Sequence, residues 1–376
     1  MLSLFDNVKS FIQKKLQSQL IKAVKSTAET EITIKPDPEY RWQQTKSALL
    51  LGNDLLTNAD GSTNPTKLTA MNVLFDNFKA FTDKTSVVGV NSAQNVATLN
   101  KVILPVMRKF VPSMLAWELV GVTALSSATG QVSVLRRRAT GDDITTETVE
   151  SKNRKLSARW SFESISDERI TELAKRNINI EAELLAALAQ EVIAECDQEL
   201  LRFLRSLAQK NSVTVDIGND YSAQQQTNNL VDAIINQAAN IANFIPGKTG
   251  NWVVVSPTVF VMLHCHEKFK KTAENTLYGG FVGILDDNIR VYVDPFASMD
   301  VPVLIGYQGT DPADNGVQWC PYTVLKSAGV LIDPATFEPV VSFLTNYGVY
   351  DMQSTSDSPI EAADYYALVN INTKHI

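Results

Sequence analysis

The sequence predicts an α+β fold, and three observations predict it. Residues 179–209 place apolar side chains at helical spacing, without a single glycine or proline. Residues 130–162 alternate polar and apolar positions as two arms of a β-hairpin do. After residue 229 helical stretches alternate with short apolar strands, and the last 50 residues or so read as strands.

Composition bounds the rest. The chain has 376 residues, more than one compact core usually holds, so two or more packing units are expected. Hydrophobic residues make up 44% and charged residues 20%, which excludes global disorder. The net charge of -7 and pI near 5.2 argue against nucleic-acid binding by the whole surface, while leaving local basic patches open. Cys196, Cys265 and Cys320 are few, odd in number and widely spaced, which fits a reducing compartment better than a disulfide framework. No apolar run approaches the roughly 20 residues of a membrane span. The opening MLSLFDNVKSFIQKK breaks its apolar residues with lysines, so no signal-peptide core is expected, and synthesis in the cytosol is.

In chain order, residues 2–25 read as an amphipathic helix with Leu4, Val8, Phe11, Ile12, Leu16, Leu20 and Val24 on one face. Lys9, Lys14, Lys15, Lys22 and Lys25 cover the other, opposed only by Asp6. Residues 26–68 are polar and turn-rich. A second amphipathic helix is expected over 68–82, where LFDNFKAF echoes the earlier LFDNVKSF, too briefly to show a duplication. Residues 97–119 are helical with breaks at Pro105 and Pro112.

The hairpin comes next. One arm ends in Arg136, Arg137 and Arg138, and ATGDD supplies turn residues. The return arm runs from Lys152 to Phe162 and carries Lys152, Arg154, Lys155 and Arg159, while Asp142, Asp143, Glu147 and Glu150 lie at the tip. Arms of about fifteen residues at roughly 3.3 Å each would reach roughly 50 Å. A lone two-stranded hairpin is marginal in water, so this arm needs a surface to rest on. That surface is either a neighbouring subunit or the hairpin's own domain; nucleic-acid readout by the arginines is a third option.

In the long helix Asn179 serves as N-cap, with Glu181 and Glu183 in the first turn. Ile180, Leu184, Leu188, Val192, Cys196, Leu200, Phe203 and Leu207 form its stripe, along a rod of roughly 45 Å. A polar loop (210–228), a helix (229–243) and a buried strand (251–255) follow. Ser256 and Pro257 start a helix over 258–270. Strands at 289–293 and 302–306, a Gly/Asp loop (308–316) and two strands around LIDPATFEPVV complete the reading.

Chemistry is scarce. His264 and His266 are two residues apart, which on a helix separates them by about 200°, so they cannot share a metal ion. Cys265 is expected on an apolar face. Gly247-Lys248-Thr249 resembles the end of a phosphate loop, but Ala242 replaces its first glycine and a helix precedes it. No GxGxxG or GxSxG occurs. The sequence therefore predicts no catalytic, cofactor-binding or metal residue.

Across residues 100–350 the chain resembles the major capsid proteins of T-even-type tailed phages. The resemblance is carried, in order, by VMRKFVPSMLAWELVGV, SSATGQVSVLR, SKNRKLSARWSFE, ITELAKRNINIEAELLAALAQEVIAECDQELL, IRVYVDPFA, IGYQG, GVQWCPY, DPATFEPVVSF and NYGVYDM. It implies the Hong Kong 97-type capsid fold. Residues 1–99 would be an N-terminal arm, 100–129 the first part of the peripheral domain, and 130–165 the extended loop lying across a neighbour. Residues 166–211 would hold the spine helix, 212–325 the axial domain, and 326–376 strands returning to the peripheral domain.

The resemblance implies a non-enzymatic subunit without cofactors that assembles with itself, as hexamers and pentamers, around double-stranded DNA. Scaffold, portal and decoration proteins are further expected partners, and a membrane is not. The location implied is the virion capsid, assembled in the host bacterial cytoplasm, with the five N-terminal lysines touching DNA non-specifically on the inner face. Two departures stand out. The surface domain that family members often insert in the hairpin is missing, and residues 1–70 lack the Leu/Ile-x-Glu cleavage pattern. The alternatives are an encapsulin-like compartment subunit and a cytosolic enzyme with a pocket in the axial domain.

Overall fold

A computed structural model describes residues 38–52, 55–87, 103–109, 111–137, 141–159, 180–217, 222–272, 280–332 and 339–372. The helix expected over 2–25, with its five lysines, lies outside the described residues. The chain divides into two compact units, Met1–Ser47 and Ala48–Ile376.

Helix α1 (Pro38–Leu49) occupies a stretch expected to be turn-rich. It has no apolar stripe to announce it. It rests instead on an opening proline, Glu39 in its first turn, and side-chain bonds one turn apart, Gln43 to Glu39 and Gln44 to Tyr40, each 3.0 Å.

The second unit is built on three sheets. The largest has seven strands in the order β5-β13-β10-β6-β9-β8-β7. These are β5 (Ser212–Asp216), β6 (Trp252–Val255), β7 (Phe269–Lys271), β8 (Phe281–Leu285), β9 (Ile289–Val293), β10 (Val303–Gly306) and β13 (Tyr366–Asn372). Every residue of β6 is buried, as a strand covered on both faces requires, and it runs parallel to β9 and antiparallel to β10. The second sheet has the order β1-β11-β12-β4, formed by β1 (Gly121–Val122), β4 (Lys152–Arg159), β11 (Val317–Ile332) and β12 (Pro339–Asp351). The third is a hairpin of β2 (Thr129–Arg136) and β3 (Asp143–Glu150).

Helices cover these sheets. After α1 come α2 (Pro65–Val87), α3 (103–109), the short α4 (Ala116–Leu119), α5 (Ile180–Ala208), α6 (Ala223–Phe244) and α7 (Pro257–His264). α2 packs on β11 and β1, and its Asn77 Nδ2 donates to the carbonyls of Leu125 and Tyr322 at 2.8 and 2.7 Å. α6 packs on β13, β5 and β10, and starts with a full capping box between Ser222 and Gln225. α5 packs against β13, β10 and β12. Among its described side chains Val192, Cys196 and Leu200 are buried as the stripe predicts. The buried face then passes to Leu201, Leu204 and Ala208, while Phe203 and Leu207 are only half-buried. A strict four-residue step overshoots the helical turn by about 40°, so the stripe must slip.

Four details differ from the sequence reading. The hairpin expected over 130–162 is shorter: β2 pairs with β3, from Arg136↔Asp143 to Thr129↔Glu150. The expected return arm, from Lys152, is instead β4, which pairs with β12. The acids of DDITTETVE read as a tip, yet its threonines, isoleucine and valine favour a strand, and that preference prevails. The loop expected over 210–228 contains β5 and the start of α6. α7 stops at His264, so Cys265 sits exposed beyond the helix and not on an apolar face. Finally, β13 joins the seven-stranded sheet, apart from β11 and β12, a separation the sequence reading of the last strands did not draw.

Candidate assembly surface

The charged residues singled out on the hairpin fall into two groups. Arg136, Arg137 and Arg154 are occupied within the chain. Arg136 is 5% exposed: it meets Glu147 at 2.8 Å and also donates to the Gln353 carbonyl at 2.8 Å and the Thr145 hydroxyl at 3.1 Å. Arg137 binds Asp314 at 2.5 Å, and the Leu135 amide donates to the Ala313 carbonyl at 2.9 Å. Together these contacts fasten the hairpin root to the loop 308–316. Arg154 forks onto both carboxylate oxygens of Glu199 in α5. Tyr347 donates to that same carboxylate at 2.6 Å.

Asp142, Asp143, Lys152 and Lys155 belong to the second group: all are exposed. Arg138 lies outside the described residues, as does the side chain of Arg159, whose backbone ends β4. The structure thus brings Arg154 together with Glu199, while leaving the lysines of β4 at the surface.

The chemical candidates resolve into structure. Lys248, in the phosphate-loop-like turn, lies 3.3 Å from Asp314 and 5.2 Å from the Tyr307 ring centre. His264 packs edge-on against Phe260 at 5.9 Å, and His266 Nδ1 accepts from the Lys268 amide at 3.2 Å. Among the described residues no three His, Cys, Asp or Glu side chains gather as a metal site would need. Burial pushes the thiols of Cys196 and Cys320 up to about 12, which keeps them protonated and unreactive. Among the described residues, no helix is long and apolar enough to cross a membrane.

Two buried ionic centres escaped the sequence reading. Glu118 is 6% exposed and accepts from the Tyr292 hydroxyl at 3.0 Å and the Ala59 amide at 3.1 Å, with Lys67 at 3.4 Å and Arg290 at 3.7 Å. Its signal was present: one acid inside the apolar run LAWELVGV. Asp294, fully buried, accepts from Gln198 at 2.7 Å, Arg205 at 2.9 Å and the Phe296 amide at 3.1 Å. Beside it, Asp197 accepts from the Leu115 amide at 3.1 Å near the start of α4. Burial, with added repulsion from Asp294, pushes the Asp197 carboxyl up to about 7.

Comparison with known proteins decides the family. The model of the family described as major capsid protein Gp23 matches residues 139–371, more than half of the chain, from the hairpin turn to β13. This chain belongs to the Gp23 major capsid protein family. Among curated members, the major capsid protein of Enterobacteria phage T4 is 28% identical over 235 residues, covering 56% of this chain and 44% of its own length. That of Vibrio phage KVP40 is 28% identical, covering 55% and 44%, and that of Salmonella phage ViI is 26% identical, covering 56% and 50%. The chain therefore spans about half the length of the curated relatives it matches. Solved structures that resemble it include Microbacterium phage Oxtober96, with TM-score 0.45 and 12% identity over 69% of this chain and 91% of that one. A virus-like particle from Pyrococcus furiosus gives TM-score 0.43 and 11% identity over 73% and 98%.

Proposed function

We propose that this chain is a shell-building subunit of a tailed phage, assembling with its own copies into an icosahedral capsid around double-stranded DNA. The observation that carries this reading is the Gp23 match, which takes in α5 and all seven strands of the largest sheet. The arrangement proposed is the Hong Kong 97 type, with α5 as spine, residues 212–325 as axial domain, and hexamers and pentamers as the units of assembly. Scaffold, portal and decoration proteins are its proposed partners, and the N-terminal lysines its proposed contact with packaged DNA. The proposed site of assembly is the host cytoplasm.

Electron microscopy of the purified full chain tests this. Closed, uniform shells are the expected result. A chain that stays monomeric in lysate and after concentration overturns the proposal. Nuclease-protected DNA in particles from infected cells separates a genome shell from an enzyme-storing compartment.

A further inference from the structure

Where α2 packs on β11, two lysines converge over aromatic rings. Phe81 and Lys84 stand three residues apart on α2, so they share one face of it. The ammonium of Lys326, on β11, lies 5.1 Å from the centre of the Phe81 ring and 5.2 Å from that of the Tyr322 ring. Asn77 pins the two elements together beside them, donating to the Tyr322 carbonyl at 2.7 Å. β11 also carries one extra residue just before Lys326. Its steps from Thr323 to Lys326 number three, against two on β12 from Asn346 to Leu344. Such a bulge re-aims the side chains next to it.

The charge gathered there is uncompensated. Buried and half-buried bases such as Lys67, Arg137, Arg154 and Arg205 each meet a carboxylate. Lys326 is half-buried as well, yet neither it nor Lys84 has an ion-pair partner among the described residues. The neighbouring acid Asp83 is taken by Lys79 at 3.4 Å. Burial, with added repulsion from Lys84, holds the Lys326 amine below its usual value. Lys84 lies in the last turn of α2, where the helix dipole favours a cation, but that accounts for Lys84 alone. The two rings attract a cation by their faces and leave its charge in place. An anion set between the ammonium groups relieves their repulsion. A phosphate group suits that place, because its oxygens point several ways and accept from two donors at once.

We propose that Lys84 and Lys326, the latter seated on the Phe81 and Tyr322 rings, form a binding site for a phosphate group. The group belongs either to a DNA backbone or to free phosphate. The first source deepens the shell reading and rests on it: packaged DNA would gain a fixed contact on the folded body of the subunit, apart from the N-terminal lysines.

Two probes on the full chain separate the sources, a short labelled DNA duplex and inorganic phosphate. Duplex affinity is read against salt concentration. Each lysine that neutralises a phosphate adds about 0.9 to the slope. Lys84→Gln and Lys326→Gln are each expected to lower the slope by about 1, and the double variant by about 2. Lys84 is exposed, so its change leaves the packing intact, and thermal melting checks the fold of the Lys326 variant. Lys152→Gln with Lys155→Gln removes two exposed bases of β4 and is expected to leave the slope unchanged. Inorganic phosphate, exchanged for chloride at matched ionic strength, is expected to raise the melting temperature of the wild type and not of the double variant. A slope that holds in every variant, or falls equally in the β4 pair, removes DNA as the source. Phosphate that stabilises the double variant as it does the wild type, or stabilises neither, overturns the site. Every variant is expected to form particles, so that failure leaves the shell reading standing, whereas a wild-type chain that forms no assembly sinks the shell reading and leaves the phosphate titration to decide the site.

Discussion

The guanidinium of Arg154 lies 3.7 Å from the centre of the Tyr347 ring. The same group holds both oxygens of Glu199, so one arginine clamps β4, β12 and α5 together. Its side chain is 29% exposed and that of Glu199 45%, which screens the pair. Arg154→Ala is expected to cost about 1–2 kcal/mol in denaturant unfolding, from the lost fork and the lost stacking. Arg154→Lys should recover less than half, because lysine keeps the charge without the planar fork. Burial would raise the Glu199 carboxyl, but its bonds from Arg154 and Tyr347 outweigh that and hold it below its usual value. A depressed acid stabilises above its ordinary pKa, so the clamp's contribution should fade on acidification below about 4 and be absent from the Arg154→Ala pH profile.

Among the described residues, Glu118 should be a highly sensitive charged position. Its removal leaves Lys67, whose side chain is 3% exposed, facing no carboxylate at 3.4 Å. Glu118→Ala is expected to cost about 3–5 kcal/mol, measured as a shift of the denaturation midpoint at constant slope. Adding Lys67→Met should return part of the loss, because the stranded charge is removed with its partner.

Asp197 predicts a pH dependence of opposite sign. Its folded pKa, about 7, lies above the ordinary aspartate value of about 4. An acid raised in the folded state stabilises when protonated, so its contribution is complete below about pH 4 and is lost as pH rises to about 7. The Leu115 and Ala116 amides donate to it and Asp294 is the charge acting on it, while Gln198 and Arg205 are bound to Asp294. Asp197→Asn keeps an acceptor for that amide and removes the charge. It is expected to raise the melting temperature at pH 8, with the advantage gone by pH 5. An equal gain at both pH values would refute the assignment.

Gly348 tests how the hairpin is seated. A Cβ there would meet Val149 Cγ1 at 2.5 Å and the Glu150 carbonyl oxygen at 2.9 Å, so β3 passes directly over β12. Gly348→Val should push the hairpin off its seat. Faster hydrogen exchange in 129–150 with the seven-stranded sheet unchanged is the expected pattern, at a cost of about 1–3 kcal/mol from overpacking.

The sequence announced elements whose signal is periodic and local. α5 was legible because apolar residues recur along its 29 residues. β6 was legible because four consecutive apolar residues suit a strand buried on both faces. Partner choice was not legible. Lys152–Arg159 reads as strand on any inspection, but its pairing with β12 spans nearly 200 residues and leaves no local mark. For the same reason Arg136, Arg137 and Arg154 looked like surface charges, since Gln353, Asp314 and Glu199 lie far away in sequence. α1 was hidden by the opposite fault, a helix without a stripe.

The position of β13 carries a further consequence. It lies inside the seven-stranded sheet, between β5 and β10, and is the neighbour through which β5 joins that sheet. A polypeptide cut short of Tyr366 leaves β10 with a bare edge and β5 with no ladder at all. A chain ending before Tyr366 would therefore lack the strand that ties the first strand of this sheet to the rest, a defect no other described element makes good.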